Sequence, residues 1–357
     1  MPLGERSASL AEVLDALTTE AAGELTERLE GRDLRCHACG HRCLIREGKR
    51  GICKVRFNEA GSLRVPSNYV AALACDPTEK KPFFHLLPGS DTLTFGMLGC
   101  DLHCNYCQNW VTSQSLRDEA AGAAPRRGSA ESLVRAAREC GAGVVGSSYN
   151  EPLITAEWAV EVFRGAKAEG FRTAFISNGN ATGRVLDYLR PWTDCYKIDL
   201  KSMSDRAYRQ LGGVVDNILD TVRMVHERGF WEEVVTLVVP GFNDSEDELR
   251  RAADFLASVS PDIPWHVTAF HRDYRMTENA NTTAEQLVRA CELGREAGLK
   301  FVYAGNLPGR VGRWENTYCP ACDELLVERR GYRIMRMRLG ADGLCPGCAE
   351  KIPGVWG

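Results

Sequence analysis

Long hydrophobic runs are missing from this sequence. No stretch reaches about 18 uninterrupted apolar residues, so no membrane-spanning helix is expected. The opening residues, MPLGERSASLAEVL, lack a basic segment followed by a long apolar run, and no secretory signal is expected either. Neither sign of charge prevails. Lys and Arg total 44 against 48 Asp and Glu, and the net charge of −4 offers no broad field to nucleic acid or a membrane surface. A local basic patch stays compatible with that balance. These absences point to a cytoplasmic, reducing setting, where clustered cysteines signal metal rather than disulfides. At 357 residues the chain can bury a large core, in roughly two domains by length.

Cysteine is what the chain has in excess: 15, an odd number. Eleven fall into three sets. The central one lies in TLTFGMLGCDLHCNYCQNWVTSQ, Thr92 to Gln114, where Cys100, Cys104 and Cys107 follow an apolar run from Leu93 to Leu98. Three thiolates on one loop can hold three irons of a cubane iron–sulfur cluster and leave a fourth iron open for a substrate or cofactor. Upstream, Cys36, Cys39, Cys43 and Cys53 are broken by Gly40, Gly48 and Gly51. Four thiolates this close can surround one ion. Zinc is the first choice and an extra iron–sulfur cluster the alternative, with His37 or His41 able to replace a thiol. Downstream, Cys319, Cys322, Cys345 and Cys348 form two C-x2-C knuckles, a zinc-ribbon signature. The stretch between them alternates apolar and basic residues, as a β-hairpin would. Its arginines (Arg329, Arg330, Arg333, Arg336, Arg338) suit nucleic acid, but ribbons serve as structural lids at least as commonly. The lone Cys75, Cys140, Cys195 and Cys291 read as small buried apolar residues.

Residues 7 to 31 show helical spacing of leucines, with Gly31 as a stop. Gly61 to Pro88 reads as short strands and loops. Within it Lys80, Lys81 and His85 form either an electropositive wall near the central loop or a solvated charge run. From Thr92 onward, strand-like runs at 93–98, 143–148, 172–177, 195–200, 234–239 and 265–270 alternate with helical patterns at 130–140, 155–168, 183–190, 214–228, 245–257 and 284–297. A short seventh run, Lys300 to Tyr303, follows. This alternation predicts an α/β fold, a partial (β/α)6 TIM-like barrel with a parallel sheet. The domains expected are 1–91, an N-terminal helix and four-cysteine region; 92–310, the barrel; and 311–357, the ribbon-like module.

Chemistry gathers at the carboxyl ends of such strands. There the sequence places the cysteine loop, SSYNEP, SNGN, IDLK, VVPGFND and AFH. Singly each is weak: Asn-Gly is usually a turn, and an Asp at a strand end often caps a helix. Their common rim is the stronger signal. An open iron beside such a rim suits S-adenosylmethionine (SAM), whose amino and carboxylate groups can chelate it. Glu151 with Asn150 suits the SAM ammonium, Lys201 its carboxylate, and Asp199 a ribose hydroxyl or a cation. Tyr106 offers an aromatic face, and His271 meets ribose or substrate.

C-x3-C-x-aromatic-C after a strand resembles the radical SAM superfamily. CNYCQNW, YNEP, SNGN, DLK, PGFND and the AFH strand end resemble the activating enzymes of glycyl radical proteins. CHACGHRC, GICKVR, DPTEKKPFFHLLPG, GMLGCDLHCNYCQNW and ENTYCPACDELLVERRGY resemble the radical SAM member of the AmmeMemoRadiSam system, over nearly everything after Arg35. The resemblance implies a [4Fe–4S] cluster on Cys100, Cys104 and Cys107. It implies reductive cleavage of SAM to methionine and a 5′-deoxyadenosyl radical, which abstracts hydrogen from an unidentified substrate. Asn109, Asn150, Glu151, Asn178, Asp199, Lys201 and His271 fall where relatives line the SAM pocket. An electron donor such as flavodoxin or ferredoxin, and Memo-like and AMMECR-like partners, are implied too. Ile176 stands where glycyl-radical activases carry Asp, a departure that bears on any monovalent cation site there. Three other readings are glycyl-radical-type activation of a partner protein, a non-catalytic zinc or RNA-binding adaptor, and an electron-transfer iron–sulfur protein.

Overall fold

The computed structural model describes residues 9–357. Eight strands form the central sheet, in chain order across it: β1 (Ala72–Pro77), β2 (Asp91–Gly96), β3 (Val144–Ser147), β4 (Arg172–Ser177), β5 (Cys195–Asp199), β6 (Trp231–Val238), β7 (Trp265–Ala269) and β8 (Val302–Gly305). β2 to β8 pair in parallel, while β1 pairs antiparallel with β2. The sheet does not close, since β1 and β8 are its two edges. The expected α/β partial barrel is present, with seven parallel strands where six units were anticipated. The short run at 300–303 earns a full place as β8.

Helices cover the sheet between strands: Ala130–Glu139, Ala156–Ala168, Gly183–Leu189, Val215–Glu227, Glu246–Val259 and Ala284–Glu296. Local chemistry sets their starts. Ser129, Thr182, Ser245 and Thr283 each cap a helix by accepting a backbone N–H with the side-chain oxygen. Apolar faces of strand and helix then meet. Phe95, Trp158, Phe163, Phe175, Val234 and Trp265 are essentially inaccessible in one continuous core. Each such side chain contributes about 1.5–3 kcal/mol by leaving water. A further helix, Asp205–Leu211, ends at Gly212 with φ +82°, a left-handed stop that favours glycine. Among the described residues no helix is long and apolar enough to cross a membrane.

The helix expected over 7 to 31 is mostly absent. Residues 7 and 8 lie outside the described residues, and the helix covers Leu10–Asp15 alone. Thr18–Glu20 and Thr26–Arg28 become strands. Strand pairing wins because Thr18 and Thr19 are β-branched and their partners Val65 and Pro66 are at hand. Leu17 and Leu25 are buried all the same, in the barrel core. Two three-stranded sheets thus make up the N-terminal region, one around Ser62–Pro66 and one around Leu34–Cys36. It docks on the barrel through the buried Arg56–Glu157 ion pair and through Gly40 N–H donating to the Asn180 carbonyl at 2.7 Å.

Cys75 and Cys140 correct a second expectation. Both are exposed and joined to each other as a disulfide. Sixty-five residues separate them, so spacing gave no hint. Cys195 and Cys291 are buried as expected.

The C-terminal hairpin forms as read, from Leu325–Arg330 and Arg333–Met337. Leu326, Val327, Ile352 and Trp356 pack against Phe84, Phe301 and Tyr303 at the β8 edge. His85 belongs to this interface and not to a wall near the central loop. Its ring nitrogens meet the Pro353 carbonyl at 2.7 Å and the Tyr303 hydroxyl at 2.6 Å.

Candidate cofactor-binding site

β2 runs straight into the cysteine loop, so Cys100, Cys104 and Cys107 start from the carboxyl end of a buried strand. Cys104 is buried and the other two are half-buried. Burial pushes the Cys104 thiol up to about 12, against the opposing pull of Lys201. Burial raises Cys100 as well, with the charges of Asp101 and Glu151 adding to it. Burial raises Cys107 too, although the Ser113 hydroxyl, 3.1 Å from its sulfur, opposes this. Thiols that resist ionisation alone become ligands only beside a metal cation. The Leu102 N–H already points at the Cys100 sulfur, at 3.3 Å.

Behind the thiols lies a buried polar network. Asp101, wholly inaccessible, accepts from the Asn178 amide at 2.7 Å and the Asn180 amide at 2.8 Å. Glu151 accepts from the Ser177 hydroxyl at 2.8 Å, the Leu153 N–H at 3.0 Å and the Asn178 N–H at 2.7 Å. Burial, with Asp101 nearby, pushes its carboxyl well up. Asn150 accepts from the Met97 N–H at 2.9 Å and donates to the Glu151 carbonyl at 3.1 Å. Asn150, Glu151 and Asn178 therefore come together as the rim motifs imply, but their side-chain hydrogen bonds run inward. They pin the ends of β2, β3 and β4 to one another.

In front of the thiols is a cavity of about 360 Å³, inside the roughly 300–1,000 Å³ of small-molecule sites. Cys104, Cys107, Tyr106, Asn109, Asp199 and Lys201 all line it. Tyr106 packs on Phe242 with ring centres 5.4 Å apart. Asp199 sits between Lys197 at 2.5 Å and Lys201 at 3.3 Å. Burial works to raise its carboxyl, but the two ammonium groups outweigh it and hold it at about 2. Lys197 went unnoticed in the sequence. The strand's period of two was the available signal, since residues 197, 199 and 201 alternate onto one face.

Lys80 and Lys81 line the same cavity, and both pair with Asp76, at 2.9 and 3.1 Å. The electropositive wall is thus real for these two lysines. Lys81 also donates to the Tyr149 hydroxyl at 3.0 Å. Tyr149 lies in the cavity wall with φ +69°, strained backbone of the kind that gathers at functional sites. His271 is exposed at the rim, where the Gln108 amide donates to its Nε2 at 3.0 Å. Gln108 is itself part of the cavity wall.

Residues 95–256 match the sequence profile of the Radical SAM superfamily. Over 329 residues the chain is 35% identical to the uncharacterized protein MJ0808 of Methanocaldococcus jannaschii, spanning 91% of this chain and 97% of that one. It is 27% identical over 209 residues to the pyruvate formate-lyase 1-activating enzyme of Escherichia coli K12, spanning 54% of this chain and 80% of the enzyme. A domain of the pyruvate-formate lyase-activating enzyme from Bacteroides vulgatus aligns over 46% of this chain and 99% of its own, with a TM-score of 0.42 and 22% identity.

The chain belongs to the radical SAM superfamily.

Membership implies a [4Fe–4S] cluster and SAM. The donor chemistry fits. Cys104 and Cys107 line a cavity of small-molecule size, with cations and an aromatic ring in its wall, and Cys100 lies on the same loop. A second group of cysteines able to hold a metal ion lies at the C-terminal end. The Cys319, Cys322, Cys345 and Cys348 sulfurs all lie within 4.8 Å of one another, close enough to share one ion.

Proposed function

We propose that this protein is a radical SAM enzyme in which Cys100, Cys104 and Cys107 ligate the cluster and the adjoining cavity binds SAM. The juxtaposition of Cys104 and Cys107, two thiols of the three-cysteine loop, with the Lys197–Asp199–Lys201 row is the observation that supports this most. When bound, the cluster supplies one electron to the SAM sulfonium, yielding methionine and a 5′-deoxyadenosyl radical that takes hydrogen from a substrate. Lys201 faces the SAM carboxylate, and Asp199, held ionised, accepts from a ribose hydroxyl. Tyr106 gives adenine an apolar face. Asn109, opening the short helix Trp110–Ser113, lines the same cavity. Asn150, Glu151 and Asn178 are positioning residues for the loop, and His271 meets substrate at the rim. Lys80 and Lys81 favour a substrate with an anionic group. A cytoplasmic setting, a flavodoxin- or ferredoxin-type electron donor, and Memo-like and AMMECR-like partners are part of this reading.

The likeness to a pyruvate formate-lyase activating enzyme supports a second reading, in which the hydrogen is taken from a glycine of a partner protein. Anaerobic reconstitution with iron and sulfide, then dithionite and SAM, should release 5′-deoxyadenosine and methionine. Cys107→Ala should abolish both products. Turnover unchanged in that variant would refute the assignment. A glycyl-radical signal on a partner protein, seen by electron paramagnetic resonance, separates the second reading from the first.

A further inference from the structure

The two four-cysteine sets differ in spread. In the C-terminal set, Cys319 and Cys348 sulfurs are 3.5 Å apart and Cys322 and Cys345 sulfurs 3.6 Å. Zn–S bonds of about 2.3 Å in a tetrahedron demand sulfurs this close. Among the described residues, no three of the Cys36, Cys39, Cys43 and Cys53 sulfurs approach within 4.8 Å of one another. They are gathered nonetheless. Cys36 donates its N–H to the Cys43 carbonyl at 3.0 Å, which sets the two opposite each other. The turn that carries Cys53 reaches both: Ile52 N–H lies 3.5 Å from the Cys43 sulfur, and the Arg56 guanidinium 3.4 Å from the Cys36 sulfur. Cys36, Cys39 and Cys53 are buried and Cys43 is half-buried. A cubane puts each thiolate on its own iron and so holds four sulfurs further apart than one ion does, with N–H donors aimed at the sulfurs.

The location adds a second argument. The N-terminal set backs onto the central loop. Gly99, with φ +96°, precedes Cys100, and a Cβ there would lie 3.4 Å from the Cys53 carbonyl and 3.0 Å from Val55. Arg117 donates to the Cys100 carbonyl at 2.7 Å and to the Ile52 carbonyl at 2.8 Å. A Cβ on Gly40 would meet the Asn180 side-chain oxygen at 2.2 Å, and Asn180 in turn holds Asp101. A structural staple does not need that proximity, whereas a redox group beside another does.

We infer that Cys36, Cys39, Cys43 and Cys53 bind a second [4Fe–4S] cluster, set against the loop of the first. Zinc is confined to the C-terminal set.

Metal and sulfide analysis of the full chain, reconstituted anaerobically, tests this. The wild type should hold about eight irons, eight sulfides and one zinc. The triple variant Cys100→Ala/Cys104→Ala/Cys107→Ala should keep about four irons and four sulfides, with a Mössbauer signature of a four-iron cluster. Cys39→Ala/Cys43→Ala, which leaves two thiolates, should lose the second cluster and keep the single zinc, which reports that the chain is folded. An iron-free triple variant, or a wild type with about four irons and two zincs, overturns the inference. Should the triple variant fail to fold, the wild-type stoichiometry decides. A wild type whose four irons survive the triple substitution but not Cys39→Ala/Cys43→Ala would sink the central assignment and leave this one standing.

Discussion

Asp101 accepts a hydrogen bond from the Asn178 side chain at 2.7 Å. Through it the cysteine loop is tied to the end of β4, two strands away. Asp101→Ala would leave the Asn178 and Asn180 amides unpaired in a buried site. The cost should be about 1–3 kcal/mol for each amide, read as a lower denaturation midpoint of the reconstituted protein.

Lys201 lines the cavity and acts electrostatically on Cys104. Burial would lower its pKa, but Asp199 and the neighbouring Cys104 keep it well above the ordinary lysine value. Lys201→Met should weaken SAM binding about 10- to 100-fold, the worth of one charge-assisted hydrogen bond. Equilibrium dialysis with labelled SAM measures it. Unchanged affinity would remove Lys201 from the site.

His85 predicts an acid limb. Burial is the main cause that holds it at about 4, below its ordinary 6.5. The unfolded chain therefore takes up its proton first. Stability should be full above pH 6.5 and fall as pH drops from there through 4, by about 3 kcal/mol from this group. Urea titrations across that window should show the slope, and His85→Gln should flatten it.

Arg56 and Glu157 pair where both are buried. Arg56→Ala should cost about 3–5 kcal/mol by leaving the carboxylate alone. Arg56→Met/Glu157→Leu should recover most of that in the same unfolding assay.

The C-terminal ion should be separable from iron. A zinc-selective chelator should remove about one ion per chain and loosen Trp356, which packs with Cys319 and Cys345. Near-ultraviolet circular dichroism would follow the tryptophan, and the visible iron–sulfur absorption should persist.

Much of this molecule is readable from residues alone. The barrel strands and their covering helices follow from apolar period, and the rim from what stands at each strand end. Other features depend on distance across the fold. The 65-residue gap between Cys75 and Cys140 hides their bond. Asp101 carries no pattern, being one acidic residue in a loop, yet it anchors two strands. Glu151 was legible as a site residue but not as one whose carboxylate already accepts three hydrogen bonds, because those partners come from β4 and from its own turn. The leucine spacing of residues 10 to 29 is genuinely helical in period. It yields to strand pairing, of residues 18–20 with the distant 64–66 and of residues 26–28 with 34–36.

Tyr332, at the tip of the C-terminal hairpin, stands in the wall of the cavity and donates to Asn306 just beyond β8. It follows every barrel strand in the chain. During synthesis the barrel strands can therefore be complete through Gly305 while the cavity still lacks one side. The last wall of the cavity is thus supplied by the C-terminal hairpin and not by the barrel.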